Sequence, residues 1–183
     1  MRAFVLLCVA AVTPRKAQDV LAEALLSVTD LPWTCVLAGA LDRAPEFVAR
    51  VRRLAAAMPG RIEFAGTRAG GALDRTYREA DLLVLPSLAE TYGMVVTEAL
   101  ARAVPVLGTR VAGVPEALGS APDGSLPGAL VPPGDPQALA AALRRWLTDP
   151  ALRGAWRAAA EARRAGLRGW DETTRRLSEV LHA

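Results

Sequence analysis

The sequence reads Leu82-Leu-Val-Leu-Pro-Ser-Leu-Ala-Glu-Thr-Tyr-Gly-Met-Val-Val-Thr-Glu-Ala-Leu-Ala-Arg-Ala-Val-Pro-Val-Leu-Gly108 near its centre, where two apolar runs flank a helical stretch. The first run, Leu82–Leu85, is apolar at every position, which is typical of a strand buried on both faces. A helix is predicted over Gly93–Ala103 and a second strand over Pro105–Gly108. Strands joined through a helix run parallel, so the segment predicts a parallel sheet covered by helices.

Apolar strand patterns and helix patterns alternate along the rest of the chain. Further strands are predicted at Phe4–Val12, Trp33–Leu37, Arg61–Phe64 and Ala129–Val131. Further helices are predicted at Pro14–Val28, Ala44–Met58, near Leu73–Glu79, after Asp135-Pro136, after Asp149-Pro150 and at Gly169–Leu181. We therefore predict one α/β domain over residues 1–183, a doubly wound parallel sheet with helices on both faces and extra C-terminal helices.

Composition narrows the classes of function. Hydrophobic residues make up 52% of the 183 residues, enough for a core. The net charge is only +3, and the arginine pairs lie among acidic residues on predicted helices, so no nucleic-acid partner is expected. One histidine and two separated cysteines predict no metal site. Cys8 and Cys35 are expected to be buried as small hydrophobes in a reducing, cytoplasmic setting.

The N-terminal apolar run resembles a secretory signal peptide, since one positive charge precedes small apolar residues. We interpret it instead as the first strand, because Thr13-Pro14 follows at once as a predicted helix cap with proline at the first helical position. No apolar run is long enough to cross a bilayer, so no transmembrane segment is expected.

Parallel open sheets bind ligands outside the carboxyl ends of their strands. Polar and glycine residues follow the predicted strands at Thr13–Lys16, Gly39, Gly66–Arg68, Pro86-Ser87, Glu90 and Thr109-Arg110. These residues are expected to gather along one edge of the sheet, where a ligand site would lie.

Lys16 is the only lysine of the chain and falls in the first turn of a predicted helix. The positive end of the helix dipole disfavours a cation there, and a bound anion would relieve the conflict. A solvated surface lysine is the alternative. Arg15 beside it, and the strand end before it, favour a role in anion binding.

Gly93 opens the helix that follows Glu90. Its lack of a side chain would let a diphosphate approach the backbone N–H groups of Gly93, Met94 and Val95 at the positive end of the helix. The glycine is equally well explained by turn geometry, and the two explanations are compatible.

Glu98 is a charged residue in an otherwise apolar helix and needs a partner if it is buried. One candidate is Arg102, four residues later, in the favourable order for a helix ion pair. The other is a pair of sugar hydroxyls held by both carboxylate oxygens. The residues alone leave these two possibilities open. Glu90 is either a favourable charge before the helix or a contact to a reacting sugar.

The run from Tyr77 to Glu116 resembles the signature of the family 4 retaining glycosyltransferases, in which two glutamates are separated by seven residues. Pro14-Arg15-Lys16 resembles the Pro-x-Lys-Gly segment of that family. Further landmarks match at Phe64-Ala65-Gly66, Val131-Pro132-Pro133-Gly134-Asp135 and Trp170. The resemblance covers nearly the whole chain.

The resemblance implies a GT-B enzyme of the hexosyltransferase type, whose donor site lies in the second of two Rossmann-like domains. It implies a nucleotide diphosphate-sugar as the donor, retention of configuration, and no required metal or cofactor. It assigns roles as follows: Glu98 to the ribose hydroxyls, Lys16 to the diphosphate and leaving group, Gly93, Met94 and Val95 to phosphate or sugar, Glu90 to the donor sugar, and Thr67 with Arg68 to the border of the base.

The sequence departs from the family pattern in three respects. Ala10-Ala11 stands where the family often has Gly-Arg, so either Arg15 substitutes or the diphosphate is held less firmly. Ala17 replaces the glycine after the lysine, which would narrow the approach to the backbone. The N-terminal acceptor-binding domain is not in the sequence, so the chain alone is expected to be inactive.

The absent domain bears on two further expectations. The helix around Trp170 is expected to cross back to that domain and to leave its apolar face under-buried here. Any peripheral contact of this cytoplasmic protein with a membrane is expected through that domain. The alternative functions are one half of a nucleotide-sugar 2-epimerase and a non-catalytic nucleotide-binding module.

Overall fold

The computed structural model describes residues 2–167, and within them a six-stranded parallel sheet forms the centre. The strands are β1 (Phe4–Val9), β2 (Trp33–Ala38), β3 (Ile62–Gly66), β4 (Leu82–Leu85), β5 (Val106–Thr109) and β6 (Gly128–Val131), in the order β3-β2-β1-β4-β5-β6. The helices are α1 (Gln18–Leu26), α2 (Pro45–Ala55), α3 (Gly70–Glu79), α4 (Met94–Leu100), α5 (Val114–Leu118), α6 (Pro136–Thr148) and α7 (Pro150–Ala165).

Both faces of the sheet are covered, because successive side chains of a strand point to opposite sides. Leu6 and Cys8 of β1 pack in one core cluster with residues of α1, α2 and α6. Leu7, between them, packs in a second cluster with residues of α3, α4 and α5. The predicted doubly wound α/β fold with additional C-terminal helices is confirmed.

The predicted helix Pro14–Val28 is wrong in its first turn. Pro14–Lys16 is a short 3₁₀ helix, and α1 begins only at Gln18. Ala17 separates them in a left-handed conformation with φ of 52°, which an α-helix cannot continue. The Thr13 side chain makes no capping bond. Buried Gln18 connects the loop instead, donating from Nε2 to the Ala11 carbonyl at 3.1 Å.

The remaining differences are shifted element ends and one additional short helix. The helix predicted to start at Gly93 starts at Met94, and the short helix α5 was not predicted. The two aspartate caps are confirmed: Asp135 accepts from the Ala138 N–H at 2.8 Å and Asp149 from the Leu152 N–H at 3.0 Å. The predicted helix Gly169–Leu181 and its Trp170 lie outside the described residues.

The strand order creates the place where a ligand can enter. It reverses direction at β1 and β4, which pair through Leu6 with Leu82 and Leu7 with Leu83. In open parallel sheets the loops after two such strands diverge and leave a crevice. Among residues 2–167, none of the helices has the length and apolar character needed to cross a membrane.

Candidate functional site

Lys16 and Glu90 meet across this crevice. Lys16 lies in the loop after β1 and Glu90 in the loop after β4, and Lys16 Nζ donates to Glu90 Oε1 at 2.5 Å. Their side chains are only 19% and 9% exposed. A partly buried ion pair at a strand-order reversal places fixed charge where ligands of this fold bind.

Two further residues position Glu90. Ser87 is fully buried and its Oγ donates to Glu90 Oε1 at 2.7 Å. Thr109, at the end of β5, donates from Oγ1 to the Ser87 carbonyl at 2.5 Å. The Leu88 N–H also donates to the Arg15 carbonyl at 2.9 Å, which ties the loops after β1 and β4 together. Ser87 and Thr109 both lie at the ends of strands. This position alone did not predict that they would orient Glu90.

Gly93 sits directly before α4 with φ of 83° and ψ of 53°. A Cβ there would lie 3.2 Å from Val114 Cγ2, so the position needs glycine for both its conformation and its space. Within residues 2–167 the backbone N–H groups of Gly93, Met94 and Val95 donate to no acceptor. Turn geometry therefore accounts for the glycine, and three backbone donors at the start of α4 have no acceptor among those residues.

Glu98 is bound by a tyrosine from another helix. Tyr77 of α3 donates from its hydroxyl to Glu98 Oε2 at 2.8 Å. The alternative of an ion pair between the Glu98 carboxylate and Arg102 is not realised, because the Arg102 guanidinium pairs with Asp74 at 2.9 Å and donates to the backbone carbonyl of Glu98 at 2.8 Å. Burial, and then the hydrogen bond to Glu98, raise the pKa of Tyr77, so its hydroxyl remains a proton donor.

The other predicted residues lie at the same edge but in different settings. Arg15 is exposed in the 3₁₀ helix. Thr67 is exposed just after β3. Arg68 is held by two partners, since its guanidinium donates to Thr76 Oγ1 at 2.9 Å and pairs with Glu63 at 2.8 Å. Lys16 and Glu90 are therefore brought into contact, whereas Arg68 is engaged at α3.

The cysteines behave as the sequence predicts. Cys8 and Cys35 are buried, and burial raises the pKa of Cys8 from its ordinary 9.0 to about 12. Burial also raises the pKa of Cys35. Among the described residues no three His, Cys, Asp or Glu side chains cluster as metal ligands would.

Comparison with known proteins places the chain in a family. The family model for glycosyl transferases group 1 matches residues 3–149. A D-inositol 3-phosphate glycosyltransferase of Kineococcus radiotolerans is 36% identical over 190 residues, covering 96% of this chain and 43% of the relative. The corresponding protein of Salinispora tropica is 34% identical over 188 residues, covering 98% and 38%.

Solved structures share the fold. The Anabaena protein HepE, in complex with UDP and glucose, superposes with a TM-score of 0.86 at 23% identity, covering 100% of this chain and 49% of its own. The C-terminal domain of the group 1 protein LpcC from Francisella tularensis has a TM-score of 0.74 at 24% identity, covering 87% and 84%. The chain spans less than half the length of the two curated relatives. With most of its length matched by the family model, the chain belongs to the group 1 glycosyltransferases.

Proposed function

We propose that this chain binds a nucleotide diphosphate-sugar and forms the donor half of a cytoplasmic retaining hexosyltransferase. The observation that carries the proposal is the Lys16–Glu90 pair at the crevice between β1 and β4. The family supplies the reaction type, sugar transfer. HepE was solved with UDP and glucose, which supports UDP as the first nucleotide to test.

The diphosphate is assigned to Lys16 and the helix start. One of the three N–H donors of the Lys16 ammonium group binds Glu90, which leaves two donors for phosphate oxygens. The unpaired N–H groups of Gly93, Met94 and Val95 add neutral donors that suit an anion. Donors already in place would stabilise the negative charge that develops on the leaving diphosphate, and exposed Arg15 would contribute at longer range.

The two glutamates are assigned to the two sugars. Glu90 Oε1 is used by both Lys16 and Ser87, whereas its Oε2 accepts no hydrogen bond from residues 2–167. That oxygen is left for a hydroxyl of the donor sugar. Glu98 Oε2 is used by Tyr77, and its Oε1 is left in the same way for the ribose. Thr67 and Arg68 would border the base.

No metal ion takes part in the proposed reaction. The acceptor molecule that receives the sugar would be bound by the acceptor-binding domain, not by this donor site. Catalysis would come from holding the donor and stabilising its leaving group. We therefore expect the chain alone to bind donor without transferring sugar. Addition of EDTA is expected to leave nucleotide affinity unchanged.

Ligand-observed NMR with UDP, GDP and ADP tests the proposal. We expect at least one of them to show contact with the chain, because the diphosphate donors are common to all three. Glu98→Ala is expected to lower the affinity for that nucleotide by about tenfold, because a hydrogen bond to a charged group is lost. Circular dichroism should show an unchanged fold. Contact with none of the three nucleotides would overturn the proposal.

A further inference from the structure

Glu98 contacts Tyr77, the first residue of the signature run and one to which the family resemblance assigns no role. Tyr77 lies 21 residues before Glu98, on α3 rather than α4, and both helices cover the same face of the sheet. Its ring is completely buried, and the Arg102 guanidinium carbon lies 4.9 Å from the ring centroid. A side chain packed on all sides in this way has little freedom to move its hydroxyl.

The Tyr77 hydroxyl fixes one oxygen of the Glu98 carboxylate, whereas the other oxygen is not used by the described residues. Tyr77 donates to Glu98 Oε2 at 2.8 Å, and Oε1 accepts nothing from the described residues. With one oxygen tied, the carboxylate plane cannot rotate freely about its last bond. Two neighbouring hydroxyls can bind the carboxylate only when its plane has one orientation. The hydrogen bond from Tyr77 holds that orientation before binding, so less side-chain entropy is lost when the ligand binds.

Arg102 is kept from neutralising the same carboxylate. It stands at the helix position from which it would pair with Glu98, but Asp74 takes its guanidinium at 2.9 Å. Arg102 also donates to the Glu98 carbonyl at 2.8 Å, which holds it along the helix. Glu98 Oε1 is therefore left with its lone pairs available for a ligand.

We propose that Tyr77 is a positioning residue that holds the Glu98 carboxylate for the vicinal hydroxyls of a ribose, and so sets the preference of the site for ribonucleotides over deoxyribonucleotides. The inference rests on the proposed function. Tyr77 acts only through Glu98 and does not itself touch the nucleotide.

The test compares the wild-type chain with Tyr77→Phe, which keeps the ring and removes the hydroxyl. Affinities are measured by calorimetry for UDP, GDP or ADP, whichever the wild-type chain binds, and for the 2′,3′-dideoxy form of the same nucleotide. We expect Tyr77→Phe to lower the affinity for the ribonucleotide by about 3- to 10-fold and to leave the affinity for the dideoxynucleotide unchanged. The ratio is taken within one variant, so it does not depend on the fraction of folded protein.

A double-variant cycle separates positioning from general damage. In a Glu98→Ala background, Tyr77→Phe is expected to cause no further loss of ribonucleotide affinity, because the residue it acts through is gone. Tyr92→Phe is the matched control, since Tyr92 is the other tyrosine of the chain and its ring is partly exposed. It should match the wild type with both nucleotides.

The outcomes separate the role of Tyr77 from nucleotide binding by the chain. Equal losses for ribo- and dideoxynucleotide, an additive double variant, or no loss at all would each overturn the role of Tyr77 while leaving nucleotide binding intact. A wild-type chain that binds none of the three nucleotides would overturn both.

Discussion

Glycine at position 93 illustrates how much a single residue contributes to this site. Its positive φ and the 3.2 Å that would separate a Cβ from Val114 both disfavour a side chain, and the three N–H groups without an acceptor among residues 2–167 begin at the same residue. Ala17 is the opposite case, since it carries a methyl group at φ of 52°. A left-handed residue with a methyl group is thus accommodated beside Lys16, whereas a methyl group on the left-handed residue before α4 would crowd Val114.

Gly93→Ala is predicted to destabilise the fold by more than Gly124→Ala. Both glycines have φ of 83°, so both variants meet the same backbone strain of about 1–2 kcal/mol. A methyl group at Gly93 also meets Val114 at 3.2 Å, whereas nothing lies within 4 Å of one at Gly124. The contact should add about 1 kcal/mol, measured by urea unfolding.

The same pair separates strain from ligand contact. Nucleotide affinity is expected to fall in Gly93→Ala and to stay unchanged in Gly124→Ala. Equal unfolding free energies for the two variants would contradict the packing argument.

At the scale of elements, the site is a junction between the loops after β1 and β4. Lys16 and Glu90 join them by charge, and the Leu88 N–H to Arg15 carbonyl bond joins them through the backbone. Thr109 extends the junction to β5 through the Ser87 carbonyl. Three strands therefore determine where one carboxylate oxygen lies, which suits a site that must hold a ligand in one pose.

Lys16→Met is predicted to destabilise the fold by about 2 kcal/mol, because it leaves the mostly buried Glu90 with Ser87 as its remaining partner. Adding Glu90→Gln should recover most of that loss, since no charge then stays unpaired. Arg157→Met is the control: the Arg157–Glu161 pair is 67% and 58% exposed, and its loss should cost under about 0.5 kcal/mol. Urea unfolding measures all four proteins. A loss at Lys16 no larger than at Arg157 would show that the junction does not stabilise the fold.

At the scale of the whole molecule, the two cores on either side of the sheet close off the interior of the described domain. Cys8 and Cys35 both lie in the core on the α1, α2 and α6 side, on neighbouring strands. Their thiols can meet a reagent only when that core opens, so they report on global unfolding.

We predict that both thiols react with a disulfide reagent at pH 8 roughly 100-fold more slowly in the folded chain than in urea. Burial raises the pKa of Cys8 to about 12, so the folded state keeps the thiol protonated after the unfolded thiol has ionised. The contribution of Cys8 to stability is therefore complete below pH 9 and is lost as the pH rises toward 12, by about 1.4 kcal/mol per pH unit.

Cys8→Ala provides the comparison for that pH dependence. Its unfolding free energy should fall less steeply than that of the wild type above pH 9, and groups common to both proteins cancel in the difference. Identical slopes, or rapid labelling of the folded chain, would contradict the assignment of Cys8 to a closed core.

Local signals were enough for much of the fold. The strand Leu82–Leu85 is predicted with its observed ends, because a run of four apolar residues bounded by Asp81 and Pro86 is typical of a strand buried on both faces. The caps at Asp135 and Asp149 were predicted because a cap involves only residues three positions apart. The cap predicted at Thr13 by the same local rule is wrong. The buried side chain of Gln18 binds the Ala11 carbonyl of that loop instead.

Local periodicity was sufficient to specify the α/β class, the parallel sheet and the polar residues at the carboxyl ends of its strands. Which of those residues meet depends on how the strands and helices pack. Lys16 contacts Glu90 because β1 lies beside β4, although 74 positions separate the two residues. The Glu98 carboxylate accepts from Tyr77 rather than from Arg102, because Asp74 of α3 pairs with the arginine. Contacts between distant segments depend on strand order and helix packing, which no local pattern encodes.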